Sequence, residues 1–220
     1  MLNKRRYKQF SIKEKIIENI NNNIIEYIIM IVIFLIGITF GTFYVKNIGE
    51  IGQQEILKYI ESFFTRVQSQ PNININGVLR DSIRNNLILV ILLWIAGLSV
   101  IGVPILYLIV AFKGFALGYT SSAVISCIGT NDGIKFILAT MILQNIIIIP
   151  MILMLSVSGI RLYKAIIKDR RRENIKLEIL KYSIIAIIVA IFNILAAIIE
   201  TYISTNLFSV LFIKWTINFM

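Results

Sequence analysis

Apolar residues in this chain run together in long blocks, broken by short charged stretches, instead of alternating with polar ones. Four blocks, residues 24–45, 87–110, 135–158 and 183–203, each have the length needed to cross a hydrocarbon core, which takes about 20 helical residues for about 30 Å. A fifth block, 114–130, is shorter and richer in small residues. Segments apolar on nearly every face are helices whose solvent is lipid. The predicted fold class is all-α: a polytopic membrane protein with about five transmembrane helices.

The stretches between the blocks carry a different pattern. In the leader, 1–23, Phe10, Ile12, Ile16, Ile17 and Ile20 recur at near-helical spacing, and Ser11 with Glu14 forms a capping box. This predicts a basic amphipathic helix on the inner leaflet. In segment 46–86, Ile56, Ile60, Phe63, Phe64 and Val67 share one helical face, opposite Gln53, Gln54, Glu55, Lys58 and Glu61. Such a helix either lies flat on the outer leaflet or offers a docking face to an extracytoplasmic partner. The run Pro71 to Gly77 breaks it, and a short helix from Val78 should lead into the next span. Within 87–110, Gly102 and Pro104 either kink the run or split it into a tight hairpin; the kink is the preferred reading, with a re-entrant element around 102–118 as the alternative. Pro150 marks a second candidate kink.

Charge gives the chain a sidedness. The formal net charge is +10, with 22 basic and 12 acidic residues. Fourteen of the basic residues lie in the leader and in 159–182, which five spans place on the same side. Positive loops stay in the cytoplasm, so the N-terminus is expected inside and the tail, 204–220, outside. Contact with anionic lipid accounts for the basic patches better than nucleic acid does. The first block follows a charged leader and lacks a small-residue cleavage site, so it is expected to be retained. Composition agrees with membrane burial: 57% hydrophobic residues and a mean hydropathy of +0.81. The 51 isoleucines suggest an AT-rich bacterial genome and a place in the bacterial cytoplasmic membrane.

Few residues inside the spans carry chemistry. In the last block Ser183, Ala186, Ala190, Asn193, Ala197 and Glu200 fall on one face, and Gln144 with Asn145 lies in the fourth. Polar groups at that depth should turn inward, either as glue between helices or along a substrate or proton path. Small residues at Gly37 and Gly41, at Gly97 and Gly102, and at Gly114, Gly118, Ser122 and Ser126 permit close helix approach. The stripe from Gly114 fits a homodimer contact as well as an internal one. The chain has no histidine and one cysteine, Cys127, which removes His-based acid–base chemistry and internal disulfides. Without a nucleophile–base pair, a metal set or a cofactor motif, neither an enzyme nor a cofactor is expected.

Read in order, Trp94-Ile-Ala-Gly97 to Gly102-Val-Pro104, then Phe112 to Gly118, then Gln144-Asn145 to Pro150, then Ile199-Glu200-Thr-Tyr202, the chain resembles the stage II sporulation protein M family. Length, five-span layout and the first extracytoplasmic segment match as well. One departure is Ser204-Thr205-Asn206, where that family is expected to carry a proline. The resemblance implies a non-catalytic scaffold of the mother-cell or septal membrane during engulfment. Its implied partners are the stage II sporulation proteins D and P, which cut peptidoglycan. Related proteins occur outside spore formers, so a transporter subunit partnered with a separate ATPase is the alternative.

Overall fold

A computed structural model describes residues 23–69, 75–99, 101–168 and 172–219. The described residues are almost wholly helical: α1 (Ile24–Asn47), α2 (Gly49–Ser69), α3 (Ile75–Leu98), α4 (Gly102–Ile128), α5 (Thr130–Ile137), a π-helical turn (Leu138–Ile142), α6 (Leu143–Lys168) and α7 (Arg172–Phe219). Five of them, α1, α3, α4, α6 and α7, are long and apolar enough to cross a membrane. The expected all-α polytopic class is borne out. The leader lies outside the described residues, as do the side chains of Ile60, Phe63, Phe64 and Val67; Ile56 is half-buried.

The span boundaries differ from those expected at one place that matters. The block 87–110 is not one kinked helix. The chain reverses at 99–101, where the Ser99 amide bonds the Ala96 carbonyl and the Gly102 amide bonds the Ser99 carbonyl, at 3.1 and 3.0 Å. Pro104 therefore starts α4 and kinks nothing, since a first-turn proline forfeits no helical hydrogen bond. A side chain at Gly102 would run into the Ala96 carbonyl, so the reversal depends on glycine. Span two moves back to Asn76–Leu98, and span three lengthens to Gly102–Cys127. Hydropathy misses the turn because a single small hydroxyl, Ser99, is the only polar side chain between Leu98 and Gly102. Pro150 lies inside α6, which continues through it. The fifth helix continues to Phe219, past the expected end at 203.

Register fixes direction. Gly37 abuts Ala111 and Gly41 abuts Phe115, so α1 and α4 run parallel. Ser82 bonds Glu200 and Trp94 bonds Ser183, so α3 and α7 run antiparallel. Lys164 pairs with Glu26 and Arg161 with Glu178, so α6 opposes both α1 and α7. One end of the bundle, the basic end, thus gathers the start of α1, the end of α6 and the start of α7. The core between these helices holds Met30, Leu93, Leu106, Val110, Ile148, Leu155 and Val189, all inaccessible. Outward faces show Ile, Leu, Val and Phe, the surface that lipid solvates.

The α1–α4 contact is built from glycine on both helices. A Cβ at Gly37 or Gly41 would strike the Ala111 or Phe115 carbonyl, and one at Gly114 or Gly118 would strike the Phe34 or Ile38 carbonyl. The two glycine pairs interlock, and the stripe on α4 is filled from within the chain. Ser122 is buried further along the same helix, where its carbonyl accepts the Ser126 hydroxyl at 2.9 Å. On α7, Ala186 and Ala197 are buried and Ala190 is half-buried, so the small face points inward as its spacing implies.

Candidate functional site

The polar residues converge toward the end opposite the basic one. Glu200 on α7 accepts a hydrogen bond from the Ser82 hydroxyl of α3 at 2.5 Å. Gln144, at the start of α6, lies near the same carboxylate. Lys113 of α4 lies within electrostatic reach of it. Four helices thus supply one carboxylate, the hydroxyl that bonds it, a neighbouring amide and one cation. Gln144 lies one residue past the π-helical turn, which packs against α7. Such turns insert an extra residue and often mark functional positions.

Behind this group lie buried amides. Asn193 is fully buried, and neither its Nδ2 nor its Oδ1 has a hydrogen-bond partner. The register set by Ser82–Glu200 and Trp94–Ser183 brings Asn86 of α3 level with it, and the Asn86 Nδ2 is also unpaired. Asn145 turns back on its own helix, its Nδ2 donating to the Met141 carbonyl of the π-turn at 2.7 Å. The sequence pairs Gln144 with Asn145 as glue; the structure separates their roles, since only Gln144 crosses to another helix. An unpaired buried amide costs about 1–3 kcal/mol. Asn193→Leu, nearly equal in volume, is therefore expected to stabilise the bundle by about 1 kcal/mol or more. Denaturant unfolding of the full chain in detergent would check this; a loss of stability would mean the amide is satisfied in the working protein.

Lys113 escaped the sequence reading. It falls in the gap between the blocks 87–110 and 114–130, where a lysine is unremarked. With α4 starting at Gly102, it stands about 17 Å along the helix, near mid-membrane. The available signal was a single cation inside the otherwise uncharged run 102–128. Its stem lines a cleft of Phe34, Val110, Ile149, Ile152 and Leu153 that leaves no space for a water-sized sphere. Level with Ile152, its Cα sits about 12 Å deeper than Gln144, and the ammonium extends from there as lysines do when they reach out of apolar surroundings.

The family model for stage II sporulation protein M matches residues 30–205, from the first helix to just past Glu200. The chain belongs to the stage II sporulation protein M family. The match begins inside the first span and takes in the other four, and with them the four helices around Glu200. The chain is also similar to an uncharacterized protein of Methanocaldococcus jannaschii, 29% identical over 188 residues that cover 82% of this chain and 94% of that protein. No solved structure matches it. It is a multi-pass membrane protein of a sporulation family.

Proposed function

We propose that this stage II sporulation protein M homologue is a non-catalytic scaffold of the septal membrane, anchoring the peptidoglycan hydrolases known as stage II sporulation proteins D and P. The family match over 30–205 carries the reading. The interlocked α1–α4 glycines support it, because helices docked backbone to backbone suit an anchor. In this reading the basic end faces the cytoplasm, as positive loops do, and contacts anionic lipid. Helix α2 then lies outside, displaying the face of Ile56, Ile60, Phe63, Phe64 and Val67 to the hydrolases. Replacing Ile60, Phe63 and Phe64 by Asp is expected to abolish hydrolase capture while the protein still accumulates in the membrane. Pulldown from sporulating cells checks this, and normal capture by the triple variant would remove α2 from the interface.

A second reading, a transporter subunit working with a separate ATPase, draws on one observation, the lysine Lys113 midway along the third span. Crosslinking from native membranes separates the two: hydrolases recovered with the protein favour the scaffold, an ATPase the transporter.

A further inference from the structure

A charge at mid-membrane is costly against lipid, and membrane proteins keep one there when another group balances it. Lys113 stands about 17 Å along α4 from Gly102 and about 12 Å deeper than Gln144, which opens the fourth span. Both distances exceed the reach of a lysine stem, so a lipid phosphate at either surface does not meet the ammonium. The carboxylates of the spans are committed elsewhere. Glu26 pairs with Lys164, and Glu178 with Arg161 and Lys181, at the basic end. Glu200 accepts from Ser82 and lies near Gln144, toward the opposite end. Among the described residues, no carboxylate forms an ion pair with Lys113.

The side of α4 that carries the lysine is only partly covered. Ile105, Ile109, Phe112, Lys113, Ala116 and Thr120 follow one another at helical spacing and make one continuous strip. Ile105, Phe112 and Thr120 are exposed, and the other three are half-buried. Around the helix from this strip, Leu106 and Val110 are sealed in the core, and Gly114 and Gly118 face α1. Lys113 therefore sits at a margin. Its stem rests against Phe34 of α1 and Ile149 and Ile152 of α6, while the open strip runs alongside it. Apolar positions repeating at steps of three and four form the seam of a helix that packs on another helix. Ala116, a small residue within the strip, lets a facing backbone come close.

We propose that this strip of α4 receives a membrane-spanning helix of another protein, one that carries a carboxylate at the depth of Lys113. Charge selects that occupant. A lipid chain or a wholly apolar helix leaves the ammonium unbalanced. A second copy of this chain brings no carboxylate to that depth from its described residues, because Glu26, Glu178 and Glu200 all lie toward the ends of the bundle. The inference does not depend on the docking face of α2 and is tested apart from it.

The probe is a synthetic leucine-rich transmembrane peptide with a single Glu at its centre, and its Gln counterpart is the control. Each is labelled and titrated against the labelled full chain in phosphatidylcholine vesicles, with energy transfer as the readout. The Glu peptide is expected to bind about tenfold more tightly than the Gln peptide, the contribution of one interhelical polar contact in lipid. Lys113→Gln should erase that preference, and Lys113→Glu should transfer it to a peptide with a central Lys. Phe112→Ala, on the same strip, should weaken both peptides alike; unchanged binding would place the helix elsewhere and overturn the assignment. Equal binding of the Glu and Gln peptides to the wild-type chain would also overturn it, and that comparison requires no variant to fold. A preference that survives Lys113→Gln has the same consequence. So does Lys113-dependent energy transfer between two labelled copies of the chain without peptide, which would give the strip to a homodimer.

Discussion

Leucine in place of Gly118 or Gly41 should leave the chain unable to assemble its native bundle. At both positions even a methyl group would enter a backbone carbonyl of the facing helix, Ile38 for one and Phe115 for the other. A backbone cannot rotate away as a side chain can, so the helices themselves must part. Parting them forfeits the close packing that is a main attraction between helices in lipid, where no hydrophobic force draws them together. Alanine, which adds one carbon, should cost about 1–3 kcal/mol, the range of ordinary overpacking. Leucine should exceed that range and abolish folded protein. Thr39 on the same helix is exposed and its hydroxyl bonds only the Leu35 carbonyl, so Thr39→Leu should stay within about 0.5 kcal/mol of wild type. The measurement is the yield of monodisperse full-length protein in detergent together with its unfolding midpoint. Gly118→Leu with a wild-type midpoint would show that α1 and α4 are held apart in the membrane, and the interlocked crossing would have to be abandoned.

How far the sequence reveals this fold can be followed residue by residue. The number of spans is plain, because block length against bilayer thickness is a strong constraint. The inward face of α7 is plain too: Ser183, Ala186, Asn193, Ala197 and Glu200 stand out against isoleucine, and that face is the buried one. Gly37, Gly41, Gly114 and Gly118 announce close packing, but each motif is silent about its partner. A glycine pair states that something comes near, and only register shows that α1 and α4 satisfy each other. The Gly102 reversal was misplaced, because a turn between two apolar helices needs no polar residue when it lies at the membrane surface. That one displacement hid Lys113, which belongs to a helix interior and reads as a loop residue when α4 is started at 114. Glu200 reads from sequence only as one more polar residue on an inward face; the docked helices bring the Ser82 hydroxyl onto its carboxylate. No spacing rule links four residues on four helices, and such a cluster becomes visible only when the helices are docked.

The other large effect is expected at Tyr182. Its ring is buried between α3 and α6, at the two positions, Gly97 and Gly159, where a side chain on either helix would collide with it or crowd it. The hydroxyl donates to the Leu93 carbonyl at 2.8 Å, and the next residue, Ser183, accepts from the Trp94 indole at 3.2 Å. Two consecutive residues of α7 therefore grip one turn of α3. Tyr182→Ala should cost about 3–5 kcal/mol, as the removal of large buried rings does. Tyr182→Phe should cost about 1 kcal/mol, the net worth of one hydrogen bond. Gly97→Ala should be severe in wild type, because its Cβ meets the tyrosine oxygen first, and milder in the Tyr182→Phe background, where that oxygen is gone. The joint also sets the position of the polar cluster. Glu200 follows Tyr182 by 18 residues, about five turns, and so returns to the same face of α7. Sliding α7 by one residue would rotate Glu200 about 100° away from Ser82. Loosening the joint should therefore draw Glu200 away from the Ser82 hydroxyl. A Tyr182→Ala chain that keeps its stability would mean that α7 is positioned by something other than the Gly97–Gly159 slot.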